Sequence, residues 1–150
     1  VRIIGAQVMK PRGLIGLAQD TLDCGAVEIR EAFEVLADDA SYPIVLHCTQ
    51  GKDRTGLIIM MLLFLTDVVP VPAISADYVK SEPELVPEHE ERLKEILAIG
   101  LDEEYAKCPP GFTEAVKTFL DTKYGGTDAY LLSIGLSLEK IDRIRNRLLV

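Results

Sequence analysis

A thiol and a guanidinium stand either side of a short loop at residues 47–56, HCTQGKDRTG, with a long apolar segment directly behind it. Cys48 and Arg54 are spaced to hold a phosphoryl group while a thiolate attacks it. During transfer such a group spreads charge over its equatorial oxygens. A tight loop of backbone N–H groups at a helix N-terminus can meet those oxygens. Thr49, Gln50, Gly51, Lys52, Asp53 and Arg54 supply the amides of that cradle and are the substrate-binding candidates. Gly51 permits a backbone turn that a side chain obstructs. Arg54 offers a planar, two-pronged grip on two oxygens. The same groups favour the Cys48 thiolate, so its pKa should lie below the free value of about 8.5. Thr55 follows Arg54, and its hydroxyl can donate to the Cys48 sulfur and ease its departure from a phosphoenzyme. His47 precedes the nucleophile and should face away from substrate, orienting the loop by hydrogen bonding rather than acting as a base.

The spacing of Cys48, Arg54 and Thr55 also fits sulfur-transfer and arsenate-reducing loops. The HC in front and the complete GKDRTG behind narrow it. Gly51-Lys52 suggests a nucleotide-binding loop, but that motif needs a glycine where this chain has Leu46, and Ser or Thr where it has Asp53.

The loop needs an element on either side. Pro43 leads into Ile44, Val45 and Leu46, which read as a strand feeding His47 and Cys48. Arg54 or Thr55 should open a helix whose residues 58–65 are all apolar and therefore buried on most sides. Upstream, residues 1–10 read as a short strand or a helix end, Pro11 and Gly13 interrupt regular structure, and 14–21 suit a short helix. Residues 26–37 form a firmer helix. Downstream, Pro72 starts a short helix carrying Asp77 and Tyr78, and 81–91 is an acidic connection into a helix over 88–99. Phe112, Val116, Phe119 and Leu120 repeat at helical spacing. Thr127 and Ser137 cap the last two helices. One strand cannot make a sheet, yet a strand-loop-helix site normally sits among parallel neighbours. The reading is therefore a mostly helical chain whose remaining strands lie N-terminal to Val1, absent or contributed by a separate polypeptide.

The 150 residues suffice for one domain, and 48% of them are hydrophobic. With 24 acidic against 16 basic residues the formal charge is -8, which disfavours a nucleic-acid surface. Three cysteines without regular spacing do not suggest a disulfide scaffold and fit a reduced, cytoplasmic setting. His47 and His89 form no familiar zinc pattern, so neither metal nor cofactor is expected. The apolar run at 57–65 is half the length of a membrane span.

HCTQGKDRTG resembles the signature of cysteine-dependent tyrosine phosphatases. In detail it is similar to the atypical microbial and fungal family with a GKDRTG loop, which includes dual-specificity and lipid-directed members. The resemblance runs from about Leu14 to Leu149 and includes DTLDCGAVEIREAFEVLAD, ISADYVKSEPEL, CPPGF and KYGGTDAYL. It implies an α/β fold with a central parallel sheet flanked by helices, the chain at 1–150 being the C-terminal portion of one catalytic domain. It implies Cys48 as nucleophile, Arg54 as clamp and Thr55 as an aid to hydrolysis of the intermediate. Asp53 resembles an acid carried within the loop, with Asp20 and Asp23 as upstream rivals. Lys52 resembles a residue that admits phosphoinositides, and equally suits a solvated loop position. The implied substrates are phosphotyrosine proteins, phosphoinositides or both. The alternative is an inactive phosphate-binding module of the same fold.

Overall fold

The computed structural model describes residues 1–149. Helix accounts for 76% of the chain, and among the described residues no strand forms. The central parallel sheet is therefore replaced by a helical assembly. A strand is a property of pairs, since its N–H and C=O groups need a neighbouring ladder. Residues 44–48 do alternate half-buried and exposed positions at a two-residue period, and Val45 is 87% exposed. With nothing beside them they stay an extended connection. Of residues 1–10, read as a short strand or a helix end, residues 2–10 are helical. The sheet that a separate N-terminal polypeptide would complete is absent from the described residues.

The chain opens with α1 (Arg2–Ile4), a wide π turn at Gly5–Met9, and α2 (Lys10–Cys24). Gly13 breaks α2 internally, with φ 62° and ψ 177°, a conformation that glycine adopts without a Cβ penalty. The helix α3 (Ala26–Ala37) has the predicted bounds and buries Ile29, Phe33, Leu36 and Ala37 along one face. After the loop, α4 (Asp53–Thr66) begins one residue before Arg54. It is apolar nearly all round and forms the middle of the core, packed against α2, α5 (Val71–Val79), α8 (Phe112–Phe119), α9 (Thr127–Ser133) and α10 (Leu138–Leu148). Its last turn is closed from outside, where Arg145 Nε donates to the Leu65 carbonyl at 2.7 Å. That satisfies one of the carbonyls a helix end leaves without an internal partner.

Between α5 and α8 run α6 (Ser81–Glu84) and α7 (His89–Ala98). A second, smaller apolar cluster joins Ile96, Leu101, Tyr105 and Ala106 to Met9, Leu14, Leu17 and Ile99. It binds the N-terminal helices to α7 and sets the far wall of the site. Ser137 caps α10 by accepting from the Lys140 N–H at 3.4 Å, as its position before the apolar stripe suggested. Among the described residues no helix is long and apolar enough to cross a membrane.

Candidate active site

Residues 49–52 turn tightly from the extended segment into α4, and Gly51 takes φ 66° at the turn. The turn gathers donors around one sulfur. Burial works against a Cys48 thiolate, but the Thr55 hydroxyl and the N–H groups of Thr55, Gln50 and Gly51 outweigh it. Together they bring the thiol from an ordinary 9.0 down to about 7. Thr55 Oγ1 is shut off from solvent and makes no hydrogen bond of ordinary geometry among the described residues, while its hydroxyl favours the Cys48 thiolate.

This predicts a pH profile. Alkylation of Cys48 by iodoacetamide should rise with a midpoint near about 7. Thr55→Val removes one donor to the thiolate and should move that midpoint up by roughly one pH unit. A midpoint that stays in place would exclude Thr55 as a donor to the sulfur.

Cys48, Thr49, Gln50, Asp53 and Arg54 line one side of a cleft of about 860 Å³. Arg54 is exposed at its edge, and its Nη2 donates to Thr49 Oγ1 at 3.0 Å. That bond spans the loop and fixes the guanidinium while leaving most of its donors open. Leu14 and Leu17 from α2, Ile96 from α7 and Ile99 just after it form the apolar walls. Asp20, Glu28 and Glu95 bring negative charge to the same cleft. None of these wall residues except Asp20 was marked by the sequence. Their contribution arises from the packing of α2 against the α7 region, which no local motif reports.

His47 is exposed and lies outside the cleft lining. Its Nδ1 is 3.2 Å from the Cys48 carbonyl oxygen, an acceptor, so that bond needs the proton on Nδ1.

Lys52 departs most from its reading as a residue at the pocket rim or in solvent. Its side chain is 0% exposed. The ammonium donates to the Lys107 carbonyl and to the Tyr105 carbonyl, the latter at 3.4 Å, and stands 3.5 Å from Asp53 Oδ1. It ties the loop to residues 105–107 and lies outside the cleft lining. A buried ammonium is tolerated only when acceptors surround it, and here two carbonyls and a carboxylate do so.

Asp53 heads α4, and its Oδ1 accepts from the Tyr78 hydroxyl at 3.0 Å. The two upstream carboxylates are differently engaged. Arg12 grips both oxygens of Asp20, at 2.9 and 2.6 Å. Asp23 accepts from Lys123 at 2.6 Å and from Tyr124 at 2.5 Å, and these partners, Lys123 first, hold it below the usual carboxylate range. Asp23 lies outside the cleft lining, whereas Asp53 and Asp20 are part of it. Cys24 is exposed and Cys108 buried, and both are free thiols.

Residues 7–150 match the model of the tyrosine phosphatase family. The chain belongs to that family. It is 32% identical over 129 residues to a tyrosine-protein phosphatase of Nostoc commune, an alignment covering 81% of this chain and 44% of that protein. It is 29% identical over 126 residues to the triple specificity protein phosphatase PtpB of Mycobacterium tuberculosis, covering 73% and 45% respectively. A shorter stretch of 32 residues is 47% identical to the inositol diphosphatase DSP2 of Arabidopsis thaliana, covering 21% of this chain. The chain thus spans less than half the length of the two longer-matching relatives. Membership agrees with the signature loop, and the helices around that loop are the part of the molecule described above.

Proposed function

We propose that this site hydrolyses phosphomonoesters through a cysteinyl-phosphate. The observation that carries the reading is the Cys48 sulfur, gathered by Thr55 and three amides, with its thiol near about 7 in a cleft edged by Arg54. In the first step the S–P bond forms as the bond from phosphorus to the leaving oxygen breaks. Arg54 and the loop amides balance the charge on the remaining oxygens. Asp53 gives its proton to the leaving oxygen. In the second step the Asp53 carboxylate takes a proton from water, the water oxygen attacks phosphorus, and the S–P bond breaks. Thr55 donates to the departing thiolate. Asp23 lies outside the cleft lining and Asp20 is gripped at both oxygens by Arg12, whereas Asp53 lines the cleft and is engaged through Oδ1, which favours Asp53 among the three.

The substrate class we infer is an aryl ester of the phosphotyrosine kind, carried by a protein. Apolar walls suit an aromatic ring, and the acids Glu28 and Glu95 repel a ligand with several phosphates. The two relatives aligned over most of the chain are both named as protein phosphatases. A phosphoinositide reading leaned on Lys52, whose ammonium is turned inward.

Acid quenching of the chain during turnover of 4-nitrophenyl phosphate, with EDTA present, tests the reaction. Peptide mapping should find phosphate on Cys48. Turnover without that adduct would overturn the covalent route. Phosphate binding with neither adduct nor turnover would make the chain a phosphate-binding module instead.

A further inference from the structure

Tyr78 of α5 is fixed on three sides. Its ring stacks on Phe112, with centroids 4.8 Å apart and planes 16° from parallel. Its edge lies against Gly56, where a Cβ would come within 3.1 Å of the ring. Its hydroxyl donates to Asp53 Oδ1 at 3.0 Å. Lys52 Nζ approaches that same Oδ1, at 3.5 Å. Both neighbours therefore claim one carboxylate oxygen, and among the described residues no hydrogen bond reaches Oδ2. Phe112 and Asp53 both line the catalytic cleft, so the stacked Tyr78 braces the acid from behind the wall.

We propose that Tyr78 is the positioning residue of the general acid: by holding Oδ1 it fixes the carboxyl orientation and leaves Oδ2 as the oxygen that carries and delivers the proton. This rests on the assignment of Asp53 above. The step balances. As the S–P bond forms and the P–O bond breaks, the electron pair goes to the leaving oxygen and the Oδ2 proton follows it. Asp53 is left as a carboxylate, still bonded through Oδ1 to the phenol. Burial, and then the Asp53 charge, push the Tyr78 hydroxyl well above the usual phenol range, so it stays a donor through both steps. Glycine at 56 fits the same purpose, because a methyl group there meets a ring that the Phe112 stack prevents from withdrawing.

Tyr78→Phe keeps the ring and removes only the donor. The full chain is mixed in single turnover with phenyl phosphate, whose leaving group needs a proton, and with 2,4-dinitrophenyl phosphate, whose leaving group does not. Phosphorylation of Cys48 is followed, together with the apparent Kd of each ester. The variant should be slower with phenyl phosphate by about tenfold and with the activated ester by no more than about twofold, with both Kd values unchanged. Asp53→Asn should show the same discrimination more strongly, and adding Tyr78→Phe to it should cost nothing further. Equal losses on both esters, or an additional loss in the double variant, would reduce Tyr78 to core packing and overturn the proposal. If Asp53→Asn alone slows both esters equally, the acid assignment fails and this proposal falls with it. If Asp53→Asn discriminates and Tyr78→Phe does not, only the proposal fails. Retention of the Cys48 alkylation midpoint in Tyr78→Phe marks an intact loop.

Discussion

Replacing Cys48 by serine should reduce turnover of an aryl phosphate to background, a loss of about 10,000-fold or more. The reason lies in what surrounds the sulfur. The donors that bring the Cys48 thiol to about 7 cannot bring a serine hydroxyl into a useful range, because an alcohol starts far higher. His47 is not placed to act as its base, since it bonds toward the Cys48 carbonyl and lies outside the cleft lining. The cradle itself survives the change. Loop amides, Arg54 and Thr49 remain, so vanadate or a phosphopeptide should still bind. Titration calorimetry beside the rate assay separates these effects. A serine variant that turns over within about tenfold of the parent would place the nucleophile elsewhere.

Arg54→Lys should be nearly as damaging, with kcat down about a hundredfold to a thousandfold, and it keeps the charge. Lysine offers a point charge on a flexible stem, whereas phosphoryl oxygens in transfer suit two parallel N–H donors. The substitution also deletes the Nη2 bond to Thr49 Oγ1 that holds the guanidinium across the loop. Because that side chain is exposed, its orientation depends on this anchor and on substrate rather than on packing. Steady-state kinetics on one aryl ester suffice, and Arg54→Ala provides the comparison. If lysine restores most of what alanine loses, charge alone matters and the clamp has no directional role.

The geometry of the loop was legible because it is local. Cys48, Arg54 and Thr55 sit within ten residues, and short-range geometry alone brings amides to the sulfur. The helix at Ala26–Ala37 was legible for a similar reason, since its apolar positions recur at one-turn spacing and Asp38 stops it. What failed depended on partners far along the chain. Residues 44–48 have the composition and alternating exposure of a strand, but a strand also needs a neighbour, and the described residues offer none. The expected sheet came from the company such loops usually keep, not from a second β-patterned segment. Lys52 reads as a surface residue by type, and its burial is decided by carbonyls at residues 105 and 107. Similarly, nothing near Asp53 in sequence announces Tyr78, and the engagement of Asp20 and Asp23 by Arg12, Lys123 and Tyr124 is likewise set by partners elsewhere in the chain.

The buried Lys52 makes the cradle a shared product of two distant stretches of chain. Its acceptors lie 53 and 55 positions away, in a short turn that also anchors Tyr105 to the Met9 carbonyl. Local fluctuations open a protein in cooperative units rather than residue by residue. Opening of the turn at 103–107 would strip the ammonium of its carbonyls and release the backbone just before Asp53. On the proposed mechanism catalytic competence would have a threshold: the Cys48 thiolate would form only in molecules where the later part of the chain has already closed over the earlier, and a partly folded form would carry the complete signature without it.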